Sequence, residues 1–330
     1  MNSDKYITIS SLVWSRESKM LDHTDIERMV DAPSFDDAYR VLNDTDYADN
    51  LLDLEPAQYR DAMRKDFTEL YEFLKRDIPD YDLFRLLFIE RDFLNLRLLL
   101  KEKYLGVKEV ESFEGETVYP PEDIKSYMNE RKSMFLDEKF KDLIVAVEKE
   151  VEANSGAPWI VDVAVTKAMY QMQYEIADNL GNEFIKRSIQ IKISNATVIA
   201  FMRALRFELP ANEFKKMLSD NSFWSVGELM TAYESGEDGV TNFLASYESN
   251  EVKESLREYL ENKNLFEFER DLDNYFISYI NQARYLSYGP EQVYSYFQRK
   301  HSAVINIRLI MAGKMNEIDS GEIKRTLRAI

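Results

Sequence analysis

Apolar residues recur at spacings of three and four along nearly all of this 330-residue chain, and only 10 glycines and 8 prolines interrupt them. That period places the apolar side chains on one face of an α-helix, whereas a strand would need alternation. An all-α fold follows. The breaks fall at 31–34 (DAPS), 77–82 (DIPDYD), 106–121, 154–158 (NSGAP), 234–239 (ESGEDG) and 287–291 (SYGPE), and none has the length or simplicity of a flexible linker. A first helix is expected near Tyr6 to Leu21.

Within this pattern one polar residue repeats. Asn95 in RDFLNLRLLLKEK, Asn195 in SNATVIAFMRAL and Asn306 in INIRLIMAGK each lie near the start of an apolar helical run that carries a basic residue, Arg97, Arg203 or Arg308. Asparagine is a poorer helix former than leucine or alanine, and a buried amide without partners costs roughly 1–3 kcal/mol, so three occurrences call for one cause. A short amphipathic helix follows each, with Ile124, Tyr127 and Met128, then Phe214, Met217 and Leu218, then Ile323, Thr326 and Leu327 on its apolar face. The segment from Asp25 aligns without a gap to the segment from Glu213, setting Ile26, Met29, Val30 and Phe35 opposite Phe214, Met217, Leu218 and Phe223. Thr24, Pro121, Asn212 and Ser320 are the expected caps or first residues of these helices. Asp162 with Tyr170 and Asp271 with Tyr279 precede Asn195 and Asn306 by similar distances. The order long helix, asparagine helix, short helix therefore describes three related units, about 1–105, 106–208 and 209–330.

The 60 acidic against 42 basic residues give a formal charge of -18, a surface that repels nucleic acid and anionic headgroups and suits neutral or basic partners. The absence of cysteine removes disulfides, thiolate catalysis and thiolate metal sites. No secretory signal is expected from MNSDKYITIS, and no apolar run approaches the roughly 18 residues a membrane span needs. His23 and His301 are far apart and read as surface residues. The Gly313–Lys314 pair lacks the earlier glycine and the following Ser or Thr of a phosphate loop and reads as a helix C-terminus. DDAYR at 36–40 lacks the final acid of a magnesium–diphosphate motif, and Asp44, Asp46 and Asp49 lack the glycine and glutamate of a calcium loop, so both read as solvated turns. No catalytic, cofactor or metal site is expected.

Together these pieces resemble the C subunit of the archaeal and bacterial V/A-type rotary ATPases, the counterpart of the d subunit of the eukaryotic V-ATPase. The resemblance rests on Tyr294 and Tyr296, Asn306 to Arg308, Gly313 with Lys314, and the closing helix Ile323 to Leu327, then on Asp92, Asn95 and Arg97 in RDFLNLR and on ESKML at 17–21. The chain departs from the family pattern at His301 and Ala303, where acids are usual, at Lys192 for aspartate, and near Trp14 for arginine. The resemblance implies a non-catalytic rotor subunit, a funnel of three helical units around a pseudo-threefold axis. It would join central-stalk subunits of the D/F type to the membrane rotor ring at the cytoplasmic face, without lipid insertion. Asn95, Asn195 and Asn306 would be structural pins that satisfy backbone groups where helices of a unit meet. The alternative is a helical-repeat adaptor unrelated to ATPases.

Overall fold

The computed structural model describes residues 3–106, 115–154, 156–244, 247 and 249–330. Among these there are 17 α-helices and no strand. In chain order they are α1 (Ile7–Glu17), α2 (His23–Asp31), α3 (Phe35–Val41), α4 (Ala48–Leu51), α5 (Tyr59–Asp77), α6 (Tyr81–Leu105), α7 (Pro121–Glu130), α8 (Glu138–Ala153), α9 (Pro158–Asn179), α10 (Glu183–Arg206), α11 (Ala211–Met217), α12 (Val226–Glu234), α13 (Gly236–Leu244), α14 (Asn250–Asn262), α15 (Leu265–Asn281), α16 (Pro290–Met315) and α17 (Ser320–Thr326). Residues 107–114 of the loop expected at 106–121, and Ser155 of the one at 154–158, lie outside the described residues.

The chain forms two compact units, residues 1–79 with 244–330 and residues 80–243. In the first, α16 packs against α1, α2, α3, α15 and α17, and α14 packs on α15. Its core joins Met29, Val30, Ala38 and Leu42 to Ala303, Ile307, Ile310 and Met311 of α16. In the second, α6 lies along α9, and α9 also packs on α8 and α10. Phe93 meets Phe140 edge-on at 5.1 Å, and Phe214 stacks on Tyr233 at 4.2 Å.

The expected order of helices recurs as α5–α6–α7, α9–α10–α11 and α15–α16–α17. In two of these the pairings are alike: α9 contacts α10 and α11, which contact each other, as do α15, α16 and α17. Two local expectations differ. The 234–239 segment is a break only at Ser235, because Val240 and Leu244, four residues apart and buried, draw the chain from Gly236 onward into α13. Some caps are also displaced. Asp22, not Thr24, caps α2 in a reciprocal capping box with Asp25, and Pro210 rather than Asn212 precedes α11, whereas Pro121 and Ser320 are the first residues of α7 and α17. In both displaced cases an Asp or Pro lay just upstream and supplied the better acceptor or the better φ.

Gly313 sets the spacing of the last two helices. A Cβ built on it would lie 2.6 Å from both Cδ1 and Cγ1 of Ile323, so α17 approaches α16 at a distance that only glycine allows. Gly313→Val should lose about 1–3 kcal/mol by overpacking. Adding Ile323→Ala should restore most of that loss in urea denaturation, and a double variant no better than the single one would refute the close-packing account.

Candidate functional site

The three asparagines do not lie near helix starts. Asn95, Asn195 and Asn306 sit near the middle of α6, α10 and α16, helices of 25, 24 and 26 residues. The helical period continues upstream through YDLFRLLFIER, EFIKRSIQIKIS and PEQVYSYFQRKHSAV, and the chain follows it. All three are buried: Asn95 and Asn306 are 0% exposed and Asn195 is 7% exposed.

At Asn306 the expected pin is explicit. Its Nδ2 donates to the Arg328 carbonyl at 2.8 Å, and its Oδ1 accepts from the Arg328 N–H at 2.9 Å. The neighbouring backbone is held likewise: Ser302 Oγ donates to the Ala329 carbonyl at 2.7 Å, and the Ala329 N–H donates to Asn274 Oδ1 on α15 at 2.7 Å. The segment after α17 is thus sewn to the middle of α16 and to α15 by side chains that replace a backbone ladder.

On the other two long helices, residues beside the asparagines also hold adjoining backbone. On α6, Asp92 accepts the Val118 and Tyr119 N–H groups at 3.0 and 2.8 Å and so fastens the chain entering α7. On α10, Ser194 Oγ accepts the Phe223 N–H at 2.9 Å, just beyond α11. Mid-helix polar groups facing the backbone of an adjoining irregular segment are the shared device. Asparagine, aspartate and serine each serve, since each offers an acceptor on a short stem.

The basic residues diverge. Arg97 donates to Thr166 Oγ1 at 3.0 Å and pairs with Asp162 at 3.4 Å, with Lys101 on the same carboxylate at 3.0 Å, so two motifs far apart in sequence meet across α6 and α9. Asp271, the counterpart of Asp162, instead accepts from Ser255 on α14 at 2.5 Å and pairs with adjacent Arg270 at 2.7 Å. Arg203 is exposed and, with Asp162, Thr166 and Tyr170, lines a cavity of about 310 Å³ between α9 and α10. Arg308 is exposed and makes no ion pair among the described residues. The Gly-Lys pair is a joint: Lys314 Nζ donates to the Ala32 carbonyl at 2.7 Å and to Ser320 Oγ at 3.2 Å, while Ser320 donates to the Val30 carbonyl at 2.8 Å. A cation at the C-terminus of α2 meets the negative end of the helix dipole and orphan carbonyls together.

A second feature of α16 was not legible from spacing. Lys300, 3% exposed, donates to Asp46 at 2.8 Å and to Asp66 at 2.7 Å and lies 4.2 Å from the Tyr47 ring centroid. Arg299 beside it pairs with Glu17, the first residue of ESKML. Burial lowers the Arg299 pKa to about 10. It raises that of Asp66 to about 6 against the pull of Lys300. Asp46 is therefore not in a solvated turn; only 15% of its side chain is exposed, because the lysine draws it inward, whereas Asp44 retains 61%. Four segments distant in sequence, at Glu17, Asp46, Asp66 and 299–300, converge on this network.

His23 and His301 are both exposed, and among the described residues no three His, Asp or Glu side chains are gathered as a metal would need. No helix is long and apolar enough to cross a membrane among those residues. The family model of the ATP synthase (C/AC39) subunit matches residues 9–326. The chain belongs to the ATP synthase (C/AC39) subunit family. It is 20% identical over 327 residues to the C subunit of the V-type sodium ATPase of Enterococcus hirae, covering 99% of each chain. To the C subunit of the A-type ATP synthase of Methanocaldococcus jannaschii it is 22% identical over 362 residues, covering 98% of this chain and 86% of the relative. Membership makes this chain a non-catalytic subunit of a rotary ATPase, a peripheral part of a membrane-associated complex.

Lys192 on α10 donates to Glu90 on α6 at 2.9 Å. Ala303 is buried in the core of α2, α3 and α16, and Trp14 remains 51% exposed on α1.

The clasp on α6 also titrates. Burial is the largest influence on Asp92 and raises its pKa to about 7, although hydrogen bonds from Tyr119 and Val118 and the charge of Arg85 act the other way. A carboxyl whose folded pKa is raised contributes stability that is full below its unfolded value near 4 and is lost as pH rises through about 7. At 1.36 kcal/mol per pKa unit, Asp92 should make the chain less stable at pH 8 than at pH 4 by up to about 4 kcal/mol. Asp92→Asn should flatten this part of the profile. Parallel urea-stability profiles for the two proteins across that range would rule the effect out.

Proposed function

We propose that this protein is the rotor socket of a V/A-type ATPase, receiving the foot of the central stalk and seating it on the membrane ring. It would transmit torque between ATP chemistry in the soluble head and ion movement in the membrane. The observation that carries the reading is the match of the C/AC39 family along residues 9–326, together with relatives named as the C subunits of a V-type sodium ATPase and of A-type ATP synthases. The like pairing in α9–α11 and α15–α17 supports a relation between two of the helical units; in this reading there are three, about 1–105, 106–208 and 209–330, arranged as a funnel about a pseudo-threefold axis. Polar pins in the middle of long helices suit a part that must carry load without internal slip. The partners in this reading are stalk subunits of the D/F type and the rotor ring at the cytoplasmic face, with no cofactor, nucleic acid or lipid insertion.

Pull-down from native membranes with identification of the co-purifying proteins tests the assembly, and absence of other rotary-ATPase components from the eluate would defeat the reading. Salt tests its electrostatics. A surface of charge -18 should hold a basic stalk foot partly through exposed carboxylates, screened over a Debye length of about 8 Å at physiological strength. A ring bedded among anionic headgroups should be held more by apolar contacts. Raising salt from low to molar should therefore weaken binding to isolated stalk subunits more than binding to detergent-solubilised ring, and equal slopes would remove the charge argument.

A further inference from the structure

Three short helices end in a turn built on a serine followed by phenylalanine: Ser34–Phe35 after α2, Ser133–Met134–Phe135 after α7 and Ser222–Phe223 after α11. In each the serine hydroxyl accepts a backbone N–H two or three residues ahead, from Asp37 of α3 at 3.1 Å, Leu136 at 2.8 Å and Trp224 at 3.3 Å. The phenylalanines fare differently. Phe35 packs on its unit's core and meets Tyr59 edge-on at 6.1 Å, and Phe223 lies under the Arg187 guanidinium at 4.0 Å and beside Trp224. Phe135 is 64% exposed and Met134 is 89% exposed, with no ring or cation contact for Phe135 among the described residues.

The exposed pair is held out by a rigid turn. Asp123 of α7 accepts the Ser133 hydroxyl at 2.5 Å and the N–H groups of Met134 at 3.4 Å and Phe135 at 3.2 Å. Arg131 ends the helix in the left-handed conformation at φ 57°. Isolated exposed apolar residues are ordinary, but two adjacent large ones on a backbone fixed by a carboxylate are preorganised, so little entropy would be lost on inserting them elsewhere. We infer that the Met134–Phe135 tip is a contact knob that inserts into an apolar pocket of a protein partner in the rotary assembly. This rests on the assembly reading above and adds a residue-level contact to it.

Charge decides between a protein pocket and a lipid surface. The flanks of the tip are balanced, with Glu130, Asp137 and Glu138 against Arg131, Lys132 and Lys139. Each of these cations is already paired, Arg131 with Glu148 at 2.6 Å, Lys132 with Glu130 at 3.6 Å and Lys139 with Glu175 at 3.0 Å. There is no basic cluster among these flanking residues to draw the tip to anionic headgroups, and the whole chain is repelled by them. Two side chains are also too little apolar surface to anchor on a bilayer, where even one acyl chain binds marginally. Met with an aromatic on a charge-balanced rim instead matches the centre of a protein interface.

The test uses the complete assembly purified from membranes, with a benzophenone amino acid at position 135. Photolysis should give a crosslink to another protein of the assembly, mapped by mass spectrometry to apolar residues. Met134→Ser/Phe135→Ser should leave the melting temperature unchanged and speed loss of the chain from the immobilised assembly at least ten-fold. Crosslinks only to lipid, only within the chain, or none in an assembly that co-purifies normally would overturn the knob alone, as would unchanged retention of the double variant. Failure of the unmodified chain to co-purify would instead overturn the assembly reading and the knob with it.

Discussion

Lys300→Met is expected to destabilise the first compact unit by about 3–5 kcal/mol, the cost of leaving one side of a buried ion pair uncompensated. The lysine is 3% exposed and holds Asp46 and Asp66 at 2.8 and 2.7 Å, so its removal strands two carboxylates at once. A fall in melting temperature on the order of 10 °C should follow. The deficit should depend on pH with a defined sign. Burial raises the Asp66 pKa to about 6, and Lys300 is what limits that rise. Without the lysine the carboxyl titrates higher still. The raised-pKa contribution is then lost over a wider pH span, and the gap between variant and parent should be smaller at pH 5 than at pH 8. Adding Asp46→Asn and Asp66→Asn should recover much of the loss, because a neutral network no longer needs the cation. Thermal and urea denaturation at both pH values would decide the matter, and a single variant as stable as the parent would show that water already compensates these carboxylates.

Asn306→Leu should lose about 2–4 kcal/mol, since it removes the partners of both the N–H and the carbonyl of Arg328. The segment after α17 can relieve part of that cost by lifting into water, so the loss should appear as local opening before global unfolding. Limited proteolysis should cut the variant near 327–330 faster than the parent at equal protein stability elsewhere. Asn306→Asp keeps an acceptor for the N–H but loses the amide donor, and should fall between the two. If the leucine variant shows unchanged protease resistance and melting, the amide does not pin this segment; if it melts normally but fails to enter the assembly, Asn306 is a partner contact.

The difference between these two sites marks where sequence reading stopped. Asn306 was conspicuous because an amide in an apolar run violates helix propensity, and such a violation is visible without any knowledge of neighbours. Its amide meets both backbone groups of Arg328, and it sits mid-helix rather than near a helix start, since the upstream aromatic and charged residues keep the same helical period. Lys300 and Arg299 violated nothing. Only packing against residues 234 to 282 positions away buries them.

Local rules acting within about four residues thus settled the helical class and the recurring order of long and short helices. Tertiary structure alone decided which carboxylate each cation meets, that Asp46 turns inward while Asp44 stays in water, and that Phe135 is exposed while Phe35 and Phe223 are partly buried. The physical reason is range. Helix periodicity and capping are energies of near neighbours along the chain, whereas desolvation and ion pairing depend on what the fold brings alongside, and one sequence pattern is compatible with many such surroundings.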